Sequence, residues 1–545
     1  MLKTAAVLLL AVAAALGQQH EHGAASQGTE PAPLLVGLGH LHHPITTSSA
    51  LAQRYFDQGL TLVYAFNHEE AARSFGYAAQ LDPKCAMAYW GIALARGPNY
   101  NEWVIDAGRE QTAAEAVKKA ESLASGSSAA EQAYISAMAK RLSTDPKADQ
   151  KKLGASYRDA MREVMRRYPN DMDAAVLFAD AAMDLHAWML WKPDGTPEEG
   201  TMEAVEALES VLKRDPDNIG ANHFYIHAVE ESPHPEQAMA SARKMAVLAP
   251  GAGHLVHMAA HIYIRTGDYH AATVSNQQAI GADRGYIDKY HVDGMYSMMY
   301  YTHNMHFLAV SASMEGDFEH ANRAAAQITH GVMAFVKEHP ETQSFLPTQA
   351  LVLVRFHRWT EIEQLPEPDK SLDQVHALWR FARGMAFSSE GKTAQAASER
   401  AAFAVEVKAM PKEAFGYNSA EQIFDIAAWM LEANIARGRR DYKQAAELLT
   451  KAALGEDALN YDEPPDWYLP PRESLGAVLF LDGRPVEAEA VFRAELKAHA
   501  KNPRALFGLA ECLHAQGKAS QEAAARKEFE EGWKHADTRL SLEDL

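Results

Sequence analysis

Between about residues 50 and 530, apolar positions return in paired helical stripes rather than in long runs or strict alternation. The stretch "GLTLVYAFNHEEAARSFGYAAQLDP" sets the pattern. Gly59 stands in a first helix, Ala71, Phe75 and Ala78 in a second, and Pro83 closes the unit. The same punctuation returns in "GDYHAA" at 267–272, "GDFEHA" at 316–321, "RDYKQAA" at 440–446 and "LGAVLFLDGRPVEAEAVF" at 475–492. One helical hairpin of about 34 residues cannot bury its own apolar face, so neighbours must stack. The pattern predicts an all-α chain of stacked helix pairs.

A small residue in the first helix, a small one and an aromatic in the second, and a closing proline are the marks of a tetratricopeptide repeat, and the chain resembles that superfamily along nearly its whole length. The stretches "YAFNHEEAARSF", "AMAYWGIALARGPNYN" and "YDEPPDWYLPPRESLGA" are also similar to a group of bacterial secreted repeat proteins to which no activity is securely attached. The resemblance implies an all-α, right-handed solenoid of tetratricopeptide helix pairs over 46–545, its first helices lining a concave groove.

Polar positions depart from the repeat in the middle of the chain. In "GHLVHMAAHIYI" the packing face is Leu255, Val256, Ala259, Ala260, Ile262 and Tyr263; His254, His257 and His261 avoid it and form a second stripe at i, i+3 and i+7. The preceding first helix carries His223 and His227 in equivalent slots, 34 residues before His257 and His261. The following one carries His303 and His306, after a 15-residue insertion that includes His291. One repeat upstream, Asp173 and Asp180 fall on the same stripe, and Glu230 and Glu231 lie one turn beyond His227. In the outer repeats the corresponding slots are apolar: Phe56, Trp90 and Phe381. The expected groove therefore has aromatic flanks and a His/Asp/Glu centre.

Imidazole and carboxylate are the usual ligands of Cu, Zn and Fe. Packed helices lie about 8–10 Å apart, close enough for His223, His227, His254, His257, His261, His303 and His306 to converge on one or two ions. Glu230, Glu231 and Asp180 are the acid/base candidates. The alternative for the histidines is hydrogen bonding to an extended peptide in the groove. No HExxH or comparable signature is present, so the signal is a constellation. Three further features have structural readings beside functional ones. His68 sits in a turn, where packing or capping is the simpler role; His40, His42 and His43 can fold over the groove or belong to a flexible segment. In "YDEPPDWYLPPRES" the prolines stiffen a loop whose Trp467 and Arg472 either gate the groove or merely start a helix.

Composition narrows the classes. A net charge of −20 repels phosphate backbones and argues against nucleic acid as partner. Residues 1–17 read as a signal peptide, with Lys3 ahead of an apolar run to Leu16, and imply a secreted or periplasmic protein; no later run is long enough for a membrane span. Residues 18–45, rich in His, Gly and Pro, read as a flexible linker or strap; His20 there could bind Cu(II) or Ni(II) beside a newly exposed amine. With only two cysteines, Cys85 and Cys512, the fold must rest on packing. Three readings follow: a metal-dependent enzyme, oxidative or hydrolytic, acting on a small molecule or polymer in the groove; a metal storage or delivery protein; and a peptide-binding scaffold.

Overall fold

The computed structural model describes residues 32–545, apart from 104, 146 and 411–413. Residues 1–31, on which the expected signal peptide, the first part of the expected linker and His20 fall, lie outside the described residues. The fold is an all-α solenoid of helix pairs in which, within each unit, most helices pack on the next and several first helices on one another. A two-residue β-hairpin at 414–419 is the one named sheet among the described residues. No described helix is long and apolar enough to cross a membrane.

The sequence punctuation acts as expected. In the GD pairs, Gly267 and Gly316 end first helices at φ +76° and +85°, the left-handed region that favours glycine. The aspartate that follows caps the second helix: Asp268 accepts from the Ala271 N–H, Asp317 from His320 and Asp441 from Gln444. The aromatic slot is filled tightly. A Cβ added to Gly59 or Gly91 would lie 2.7 and 2.3 Å from the Phe75 ring, and Gly476 and Gly508 flank Phe492 at 2.4 and 2.2 Å. The insertion lengthens a second helix to the 22 residues Tyr269–Tyr290 and ends in a π-helical turn, Tyr296–Tyr300. His291 is its left-handed cap residue, φ +52°.

Contacts divide the chain into two compact units: Met1–Ala259 with Ala282–Tyr286, and Ala260–Gly281 with Ile287–Leu545. In the first unit, helix Ile219–Glu230 packs on helix Met172–Met183 and also on the first helix, Ala50–Tyr64. A strap seals this arrangement. The Tyr55 hydroxyl donates to the Ala32 carbonyl and the Leu35 N–H to Gln58, each at 2.8 Å; the Gly251 N–H donates to the Gly37 carbonyl at 2.8 Å. The described part of the linker is thus docked chain, not a flexible tether.

The expected aromatic groove walls need correcting. Phe56 and Trp90 are buried core residues of the first unit, their rings 6.3 Å apart. Phe381 and Trp467 pack together in the core of the second at 5.6 Å. An aromatic at the repeat's packing slot gains more from neighbouring helices than from solvent. Arg472 does not reach for an anionic ligand: it pairs with Glu456 and Asp457, and Pro471 simply opens helix Pro471–Leu481. Both cysteines are buried free thiols, one per unit, pushed up by burial to about 11 (Cys85) and about 12 (Cys512).

Candidate metal centre

Asn218 caps helix Ile219–Glu230 by accepting from the Ala221 N–H, and every residue of this helix is buried. His223 and His227 therefore face protein on one side of a helix that has no solvent face. His254 enters from the first turn of the helical stretch that begins at Gly253. One potential ligand atom from each of His223, His227 and His254 lies within 4.8 Å of the other two. Nitrogens bound to one ion at about 2.0–2.1 Å would lie roughly 3.3–3.6 Å apart, so each has under about 1 Å to move.

Two rings are oriented by partners on their far nitrogen. His223 Nδ1 donates to the Tyr64 carbonyl oxygen at 2.5 Å, and His227 Nδ1 donates to Glu230 Oε1 at 2.7 Å. With Nδ1 protonated, Nε2 carries the lone pair a metal would take. The Glu230 side chain is 2% exposed.

The walls are aromatic. Phe66, in the turn between the first two helices, lies 4.6 Å from His223, 5.6 Å from His227 and 5.1 Å from His254, centroid to centroid. Tyr100 and Trp188 flank His227 at 5.2 and 5.7 Å. Phe66 and Trp188 adopt φ of +55° and +59°, uncommon for bulky residues, and both touch the histidines. The sequence reading missed these three aromatics and Tyr64. Their one sequence signal was the "YAFNHEEAARSF" and "AMAYWGIALARGPNYN" stretches, which hold Tyr64, Phe66 and Tyr100.

The other candidate residues have these surroundings. His257 belongs to the first unit, its ring 5.8 Å from His254. His261 and His303 belong to the second, 6.0 Å apart, with Phe307 at 4.6 and 5.1 Å. His306 packs on Phe345 and Tyr468 at 5.6 and 5.7 Å, and burial lowers it to about 4. Asp180 sits in a different polar network. Burial and the neighbouring Asp184 push its carboxyl well above the usual range, while Arg141 pairs with Asp184 and stacks 4.6 Å from Tyr157. Glu231 accepts from the Trp191 N–H at 3.2 Å. His68 packs 5.9 Å from Phe66, with the capping role taken by Asn67.

Fold and site together define an all-α helix-pair repeat protein with a buried, aromatic-walled cluster of three histidines. No family model and no curated protein sequence matches the chain. Among solved structures it is similar to the APC/C hetero-tetramer Cut9–Hcn1, at 14% identity over 86% of this chain and 78% of that one, TM-score 0.33. It is also similar to the human IFIT1 dimer with m7Gppp-AAAA, at 12% identity over 90% and 91%, TM-score 0.34. For yeast Tom70 the figures are 11% identity, 88% and 90%, and a TM-score of 0.29. These likenesses bear on neither the site nor its ligand.

Proposed function

We propose that this is a secreted or periplasmic metalloprotein that binds one transition-metal ion, Cu, Zn or Fe, between His223, His227 and His254, and that it is a metal-dependent enzyme acting on a small molecule. The observation that carries the reading is the convergence of three histidine ligand atoms within 4.8 Å, two of the rings held by a carbonyl and a carboxylate on their other nitrogen. Export rests on residues 1–17 alone. Three protein ligands leave a coordination position for water, oxygen or substrate, the arrangement of catalytic rather than structural sites. A bound ion would supply Lewis-acid or redox chemistry there. Tyr64 and Glu230 hold the ligand rings, and Phe66, Tyr100 and Trp188 keep bulk water out, which favours a small substrate over an extended polymer.

Storage or delivery is the second reading, favoured by burial: the three histidines are 0%, 2% and 3% exposed. Elemental analysis of the purified protein, with a His223→Ala/His227→Ala variant beside it, tests both. One ion in the parent and a loss in the variant, with helical circular dichroism intact, is expected. A parent that retains no metal after loading with Zn, Cu and Fe rules both out. Turnover of small substrates that tracks occupancy separates enzyme from carrier.

A further inference from the structure

Outside that centre, the strap places an imidazole against two carboxylates. His43 Nδ1 is 2.8 Å from Asp173 Oδ2, and one potential ligand atom from each of His43, Asp171 and Asp173 lies within 4.8 Å of the others. All three belong to the first unit. His43 is 8% exposed and the two aspartates are half-buried. The donors are fixed from separate elements. The Tyr64 hydroxyl donates to Asp173 Oδ1 at 2.8 Å and the Tyr134 hydroxyl to Asp171 Oδ2 at 2.9 Å. Asp171 Oδ1 caps helix Met172–Met183 through the Ala174 N–H, and the His43 backbone N–H donates to Asp57. Such outer partners orient ligands while leaving each carboxylate oxygen a further lone pair.

We propose that His43, Asp171 and Asp173 form a second metal site, for a divalent cation such as zinc, that locks the strap onto the first repeats. Two like charges this close and this sheltered call for a counter-charge. A proton on His43 supplies one unit; a divalent ion supplies two and takes the three donors in the mix that zinc accepts. Residues 32–43 would then be ordered by the ion as well as by the Gly37 and Tyr55 hydrogen bonds. The site uses none of the three buried histidines and does not depend on their reading.

Equilibrium dialysis of the intact protein against zinc counts the sites, with hydrogen exchange of the strap as the second readout. Two equivalents are expected in the parent, falling to one in His43→Gln, which can still hydrogen-bond to Asp173, and in Asp171→Asn, which keeps the helix cap. Zinc should also slow exchange across 35–43 in the parent and in His223→Ala/His227→Ala, but not in His43→Gln. A single equivalent lost with His43→Gln and kept in the buried-centre variant would support this site and remove the other. Zinc stoichiometry and strap exchange unchanged in His43→Gln and Asp171→Asn would overturn the proposal, whatever the buried centre does.

Discussion

A carboxylate on the far nitrogen of a ligand histidine fixes the ring and makes the near nitrogen more basic, and Glu230 stands in that relation to His227. In the proposed centre that makes it a positioning group, a different role from the proton transfer that its place one turn beyond the histidine invites. Glu230→Gln should weaken metal binding roughly 10-fold at pH 7.5 with the fold intact, read by competition with a chelating dye; unchanged affinity would argue that the ring is held otherwise. His68 supports a second prediction. Burial first, then Arg109 and Arg141, push it down to about 3, and neither ring nitrogen has a hydrogen-bond partner. In the unfolded chain this histidine takes up its proton near 6.5, so the neutral form's contribution is whole above that pH and is lost as pH falls toward 3. At pH 5.5 the loss is roughly 1 kcal/mol. His68→Phe should spare the protein that loss and leave urea stability at pH 8 within about 1 kcal/mol of the parent; an equal acid loss in the variant would contradict the assignment. Glu230 could be read from the sequence because it lies on the same helix as its partner. Phe66 could not: its contacts with three histidines come from a left-handed turn more than 150 residues away in sequence.

At the scale of elements, the helix pairs were legible because one packing device recurs: a glycine in a first helix lets a phenylalanine of a second helix touch its backbone. Phe75 lies between Gly59 and Gly91, and Phe492 between Gly476 and Gly508. Gly91→Ala and Gly508→Ala should each cost about 1–3 kcal/mol by overpacking, less any gain in helix propensity, measured by urea denaturation. A neutral result at both would mean that the ring has room to move. What the sequence left open is the state of residues 32–45, read there as a linker or a strap: their order comes from Gln58, Asp57 and Gly251 rather than from their own composition.

At the scale of the whole molecule, the two units carry different acid-sensitive groups and should respond to pH differently. The first holds His68, held neutral by burial, whose contribution falls as pH drops below about 6.5. The second holds His306, also kept neutral by burial at about 4, and a buried ionic knot. Glu473 meets Arg504 at 2.6 Å, Arg355 at 3.2 Å and Asn502 at 2.8 Å. Burial raises its pKa, but the two guanidinium groups overcome this and hold it at about 2. A carboxyl depressed in the fold contributes fully above its unfolded value near 4.5, and that contribution disappears as pH falls from there toward 2. Acid titration followed by circular dichroism should therefore show an early loss beginning near pH 6, to which His306 contributes in the second unit, and a later one below about pH 4. Loading with metal at 100 times its dissociation constant should stabilise the first step by about 2.7 kcal/mol and leave the second where it was. Glu473→Gln should do the reverse: by leaving two buried arginines without their carboxylate it should cost about 3–5 kcal/mol and move only the later step. A single acid transition that shifts as a whole with both metal and Glu473→Gln would show that the units unfold together, and that the histidine cluster and the ionic knot act on one cooperative core.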